Sequence, residues 1–90
     1  MDSVHCAHIL VKTEQEAKDI LEKVNKGESF SKLAMEKSLC GSARKGGDLG
    51  TFGRGKMVRE FEKAAFALNK GEISQPIKTQ FGWHIIKRLD

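Results

Sequence analysis

Long apolar runs, cysteine and proline are all scarce in this chain of 90 residues, and each scarcity narrows what the protein can be. No stretch approaches the roughly 18 apolar residues that a membrane-spanning helix needs. No charged-then-apolar leader opens the sequence, so the expected compartment is the cytosol. Two cysteines, Cys6 and Cys40, are too few to staple a secreted disulfide scaffold. Charge of one sign does not dominate either. Sixteen Lys and Arg meet twelve Asp and Glu, interleaved along the chain, for a net charge of +4. That excess favours polyanions only weakly and does not make a nucleic-acid footprint. What remains, 39% hydrophobic and 31% charged, is the composition of an ordinary soluble domain, taken here as residues 1–90.

The pattern along the chain predicts alternating elements. Residues 4–12 are mostly apolar without Gly or Pro, which predicts a central strand covered on both faces. On it Cys6, His8 and Leu10 share one face, and His5, Ala7, Ile9 and Val11 the other. Thr13 and Glu16 have capping-box spacing, with Glu16 reaching back. Ala17, Ile20, Leu21 and Val24 follow at helical offsets before Gly27, so 13–26 reads as an amphipathic helix. Ser29 opens a shorter helix that buries Phe30, Leu33 and Ala34. Six glycines between Gly41 and Gly55 exclude a regular helix there, and a short strand fits over 48–52. Val58, Phe61, Ala64, Ala65 and Leu68 mark a further helix, closed by Gly71. Residues 73–77 hold the single proline, Pro76, and read as a short edge strand. The last strand spans 82–89 and is central. The order is that of a small α+β domain with a mostly antiparallel sheet.

Several constellations could carry chemistry. His8 and His84 lie on the two best strands and stand side by side if those strands are neighbours. Such a pair serves equally as satisfied core histidines, since buried polar groups need partners and not a task. Cys6, His8, Cys40 and His84 are a legitimate tetrahedral zinc set, but no paired-ligand spacing supports it. Gly50 to Lys56 fits a phosphate loop by spacing, yet Met57 stands where the magnesium-binding hydroxyl belongs. Cys40 with either histidine could form a nucleophile pair, which would also need an acidic thiol and an oxyanion hole.

Seven segments in order resemble one family. They are Cys6-Ala-His8-Ile-Leu-Val-Lys, Ser38-Leu-Cys40-Gly-Ser, Gly46-Gly-Asp-Leu-Gly-Thr-Phe52, Gly53-Arg-Gly-Lys-Met57, Phe61-Glu-Lys-Ala-Ala-Phe66, Gly71-Glu-Ile-Ser and Thr79-Gln-Phe-Gly-Trp-His84-Ile-Ile-Lys. The chain is similar over residues 5–89 to the parvulins, peptidyl-prolyl cis-trans isomerases of the PpiC type, in their minimal single-domain form. The resemblance implies a four-stranded, mostly antiparallel sheet surrounded by about four helices, three of them between the first two strands. It implies that His8 and His84 are the paired histidines of the site, with Thr79 hydrogen-bonding into the pair. Cys40 matches a position that is cysteine in many parvulins and aspartate in others. Leu49, Met57, Phe61 and Phe81 match the residues that enclose the substrate proline. Leu39 replaces a residue that is often polar, which would make the surroundings of Cys40 more apolar, and Trp83 stands where a smaller or phenolic residue is common.

The chemistry suits those residue types. Rotation about a peptide bond meets a barrier of about 18–20 kcal/mol, and the X–Pro bond turns in tens to hundreds of seconds unaided. Reaching about 10²–10³ s⁻¹ means removing on the order of 5–7 kcal/mol. No bond breaks, so neither metal nor cofactor is expected. A twisted amide has lost resonance and is less dipolar at oxygen, so an apolar pocket beside a small polar cluster favours it over either planar isomer. The expected partner is therefore a proline-containing polypeptide without a phosphate, met by a monomer with no membrane or nucleic acid involved. The alternative is a non-catalytic X–Pro or nucleic-acid binding module on the same fold.

Overall fold

Strand β1 (Ser3–Val11) leads into helices α1 (Glu14–Asn25) and α2 (Phe30–Lys37), then a short 3₁₀ helix (Gly41–Lys45). Strand β2 (Asp48–Gly53), helix α3 (Arg59–Ala67) and strands β3 (Ile77–Thr79) and β4 (Gly82–Arg88) complete the chain. The computed structural model describes residues 2–90. The strands form one antiparallel sheet in the order β2-β1-β4-β3, so the two apolar strands are its centre. Three α-helices and one 3₁₀ helix match the expected number, the 3₁₀ turn being the only helix that the glycine-rich stretch supports.

β1 is apolar on both faces because both faces are covered. Ala7, Ile9 and Val11 pack with Ile85 against Ala17 and Ile20 of α1 and Phe30, Leu33 and Ala34 of α2. Val4 and Cys6 pack with Ile86 against Phe52, Phe61 and Ala65 on the α3 side. Burying an isoleucine such as Ile9 or Ile85, both 0% exposed, stabilises by about 1.5–3 kcal/mol each. Local caps set the helix starts. The Thr13 hydroxyl accepts from the Glu16 amide at 3.1 Å, and that of Ser29 accepts from the Lys32 amide at 3.2 Å. Glu16 does reach back, but to the Thr13 hydroxyl at 2.9 Å rather than to the backbone amide of a full capping box.

Two boundaries differ from expectation. The edge strand is Ile77–Thr79 and not 73–77, because Pro76 has no N–H for a ladder to run through. Before the proline the chain touches the sheet by an isolated bridge between Ile73 and Lys87. There Ser74 donates its amide to Ile86 O at 2.8 Å, and its hydroxyl accepts from the Ile86 amide at 2.9 Å. Helix α3 stops at Ala67, and Gly71 lies in the turn beyond it rather than closing it.

Register is what places the histidines. β1 pairs β4 with Leu10 opposite His84 and His8 opposite Ile86. His8 and His84 are therefore diagonal neighbours on one face, within reach of each other's rings. On its other side β1 pairs β2 with a shift between His5 and Ala7, a bulge. Beyond it the ladder is continued by a loop, with the His8 amide donating to Gly47 O at 2.9 Å.

Candidate active site

Four elements bring the polar centre together. His8 comes from β1, His84 from β4, Thr79 from the end of β3, and Cys40 from the residue that caps the 3₁₀ helix. The two imidazoles face each other through their Nδ1 atoms at 3.0 Å, with ring planes 18° apart. Thr79 Oγ1 lies 2.7 Å from His84 Nε2 and accepts from the Phe81 amide at 3.1 Å. One proton assignment runs through the chain without conflict. In it the Thr79 hydroxyl donates to His84 Nε2, His84 Nδ1–H donates to His8 Nδ1, and the proton of His8 sits on Nε2; the reverse assignment, with His8 Nδ1–H donating to His84 Nδ1 and His84 Nε2–H to Thr79 Oγ1, satisfies the same contacts. His8 Nε2 is buried without a partner among the described residues.

Burial favours the neutral form of both imidazoles. Burial, with the neighbouring His84 second, pushes the His8 imidazole down to about 4. Burial also lowers His84. The geometry excludes charging both at once, since two charged rings would point donors at each other. Phe61 stands edge-on beneath the pair, with ring centroids 5.4 Å from His8 and 5.3 Å from His84.

These groups floor a cleft of about 390 Å³ whose lining includes His8, Cys40, His84, Leu49, Met57, Phe61 and Phe81. Seven of the eight expected site residues thus meet in one depression, and the eighth, Thr79, is buried behind His84. An open groove of about 460 Å³ runs between α1 and Pro76, but no buried polar group lines it. Phe81 is 61% exposed and forms the rim. Leu39 is 58% exposed, so it does little to make the surroundings of Cys40 apolar.

The cleft also takes in Leu10, Lys56 and Val58, which the sequence reading did not assign to it. Leu10 was legible, sharing the strand face of His8. Lys56 and Val58 flank Met57 and carried no signal of their own. Cys6, by contrast, is fully buried under α3, and burial pushes its thiol up to about 11. Among the described residues no group of three or more His, Cys, Asp or Glu side chains is placed to hold a metal. The Gly50 to Lys56 stretch is a strand running into a turn, not a loop opening a helix.

The histidine pair gives a pH dependence whose sign is set by burial. The unfolded His8 titrates near 6.5 and the folded one near 4. Its contribution is complete above the first value and is lost as pH falls toward the second, about 3 kcal/mol in all. Denaturation measured from about pH 7 to about pH 4 should show that loss. His8→Ala should flatten it, and should cost about 1–3 kcal/mol at neutral pH by leaving His84 Nδ1 unpartnered. Activity lost with stability unchanged would instead make His8 an acid–base participant.

Comparison with known proteins agrees with this fold. Residues 8–90 match the family model of the rotamase, PPIC-type PPIASE domain. The foldase protein PrsA of Geobacillus kaustophilus is 58% identical over 88 residues, covering 97% of this chain and 31% of that protein. The solution structure of NmPin, the parvuline of Nitrosopumilus maritimus, superposes with a TM-score of 0.90 at 53% identity, covering 100% of this chain and 98% of that one. The crystal structure of the peptidylprolyl isomerase PrsA from Bacillus anthracis superposes with a TM-score of 0.96 at 46% identity, covering 97% and 41%. The chain spans about a third of the length of the curated relatives it matches.

Proposed function

This chain belongs to the PPIC-type family of peptidyl-prolyl cis-trans isomerases, and from that premise we propose that its cleft turns X–Pro bonds of unphosphorylated polypeptides and so assists their folding. The observation that carries the reading is an apolar cleft closed at its floor by a buried, hydrogen-bonded imidazole pair. Leu49, Met57, Phe61 and Phe81 offer the pyrrolidine ring and the twisted amide a surface that a planar, dipolar amide gains less from. Cys40 supplies the polar contact beside the apolar lining, His8 and His84 are hydrogen-bonded to each other beneath it, and Thr79 holds His84 in place. None of these roles needs a bond to break.

Magnetisation-exchange NMR on a short Ala-Leu-Pro peptide tests the proposal. Cis–trans exchange above background, at sub-stoichiometric protein, is the expected result. Binding without exchange would make the domain a holding module. A monomer in the cytosol is part of the same reading, supported by two free cysteines that suit a reducing compartment. So is the absence of membrane and nucleic-acid partners. Among the described residues no helix is long and apolar enough to cross a membrane.

The residue before proline should be uncharged and apolar. Strand β1 ends at Val11 and α1 begins at Glu14, so only Lys12 and Thr13 connect them and no basic loop exists there. Among the described residues Lys56 is the one formal charge in the cleft lining, and it is exposed. Phosphate recognition usually takes an arginine cluster or several donors, which a lone flexible ammonium does not provide. Leu-Pro peptides should therefore exceed Glu-Pro and phosphoserine-Pro peptides in kcat/KM. A tenfold advantage for either acidic peptide, about 1.4 kcal/mol, would overturn this expectation.

A further inference from the structure

The geometry points to Ser38 as the residue that positions Cys40 over the cleft. β1 has regular strand partners on its β2 side only as far as Ala7, because its partner there, Asp48, is the first residue of β2. Past Ala7, the Leu10 amide donates to the Ser38 hydroxyl oxygen at 3.0 Å, and Leu10 O accepts from the Leu39 amide at 2.8 Å. The same hydroxyl oxygen also accepts from the Cys40 amide, at 3.4 Å. Ser38 itself is held from behind, as the cap of α2, by its amide donating to Ala34 O at 3.0 Å.

One side-chain oxygen therefore joins three elements: the end of α2, the open edge of β1 and the start of the 3₁₀ helix. Leu10 lines the cleft between His8 and the rim, so the strand that carries His8 is the strand to which Cys40 is tied. A serine does this where the backbone cannot. The chain leaves α2 in an extended conformation at Ser38, with ψ near 137°. A hydroxyl accepts two donors from different directions and stands in for the missing strand carbonyl. Without it the Leu10 amide and the Cys40 amide each lose an acceptor, and the 38–40 segment keeps one bond to β1, from Leu39. Ser38 touches no substrate in this scheme. Its effect passes through the placement of Cys40, and misplacement of a contact group is paid in turnover rather than in affinity.

The inference rests on Cys40 belonging to the isomerase site, and a double-substitution cycle tests it. Ser38→Ala should lower kcat about tenfold with KM within about twofold. In a Cys40→Ala background the same change should alter kcat by less than about twofold, because there is no thiol left to position. Ser38→Thr, which keeps the hydroxyl, should restore the wild-type rate. Where Ser38→Ala fails to fold, Ser38→Cys keeps the size and weakens the acceptor, and it enters the same cycle. Additive losses in the double variant, full activity of Ser38→Ala, or no rescue by Ser38→Thr would each overturn the assignment. The alkylation rate of Cys40 is a readout independent of turnover. Ser38→Ala should change it while buried Cys6 stays unreactive, so an inactive wild type would refute the isomerase reading and still leave Ser38 open to test.

Discussion

Cys40→Ala should lower kcat/KM about ten- to a hundredfold, whereas Cys40→Asp should keep substantial activity. The contrast follows from what the reaction lacks. Turning an amide makes and breaks no covalent bond, so a nucleophile is not required, and a polar group near the rotating carbonyl is enough. Cys40 is half-buried in the lining of the cleft, on the same floor as the histidine pair. Alanine there removes the polar contact and leaves a small void. Aspartate restores an acceptor, and resemblance to the parvulins implies that the position tolerates it. Exchange kinetics on an Ala-Leu-Pro peptide, with melting temperatures for both variants, read the two effects apart. An adduct on Cys40 trapped by mass spectrometry would sink the non-covalent account, as would a folded but inert Asp variant.

The largest loss of stability should come from a glycine. Gly47 has a φ of 86°, and a Cβ built on it would land within van der Waals contact of the His8 carbonyl oxygen, with Ala34 Cβ 3.1 Å away on the other side. The clash is with the backbone of a central strand, which cannot swing aside as a side chain would. Gly55 has the same φ of 86°, but nothing lies within 4 Å of its Cβ position. Gly55→Ala thus measures the left-handed backbone penalty alone, about 1–2 kcal/mol. Gly47→Ala adds the collision and should cost at least about 3 kcal/mol. In a domain of this size that lowers the melting temperature by about 12 °C or more. It should also cut activity, since the atom struck belongs to His8 and the Gly47 carbonyl accepts from the His8 amide. Equal shifts for the two alanine variants would show that the strand yields and the collision costs nothing.

Local rules were enough for much of this architecture. The mostly apolar run of β1 required cover on both faces, and two cores provide it. The caps at Thr13 and Ser29 and the spacing behind them located α1 and α2, because a cap and a helical face are complete within a few residues of one another. The eight residues of the site were named by likeness to a family, not by composition or periodicity. From spacing alone His8 and His84 could equally have been core histidines.

Tertiary structure decided the rest. That His8 and His84 face each other depends on β1 and β4 being neighbours in a register that puts Leu10 opposite His84. A slip of one residue would send one imidazole to the other face, and burial of two apolar cores is what forbids it. The edge strand moved to 77–79 because Pro76 cannot donate, and where the ladder resumes depends on its partner β4. The His8–His84 contact, the cleft positions of Leu10 and Lys56, and the Ser38 link to Leu10 join or place residues far apart in the chain. The sequence by itself determined the helices and the central strands, since those preferences are satisfied between near neighbours. Which segments meet, and on which face, only the folded chain decided, because a contact between distant residues exists only when all the packing around it does.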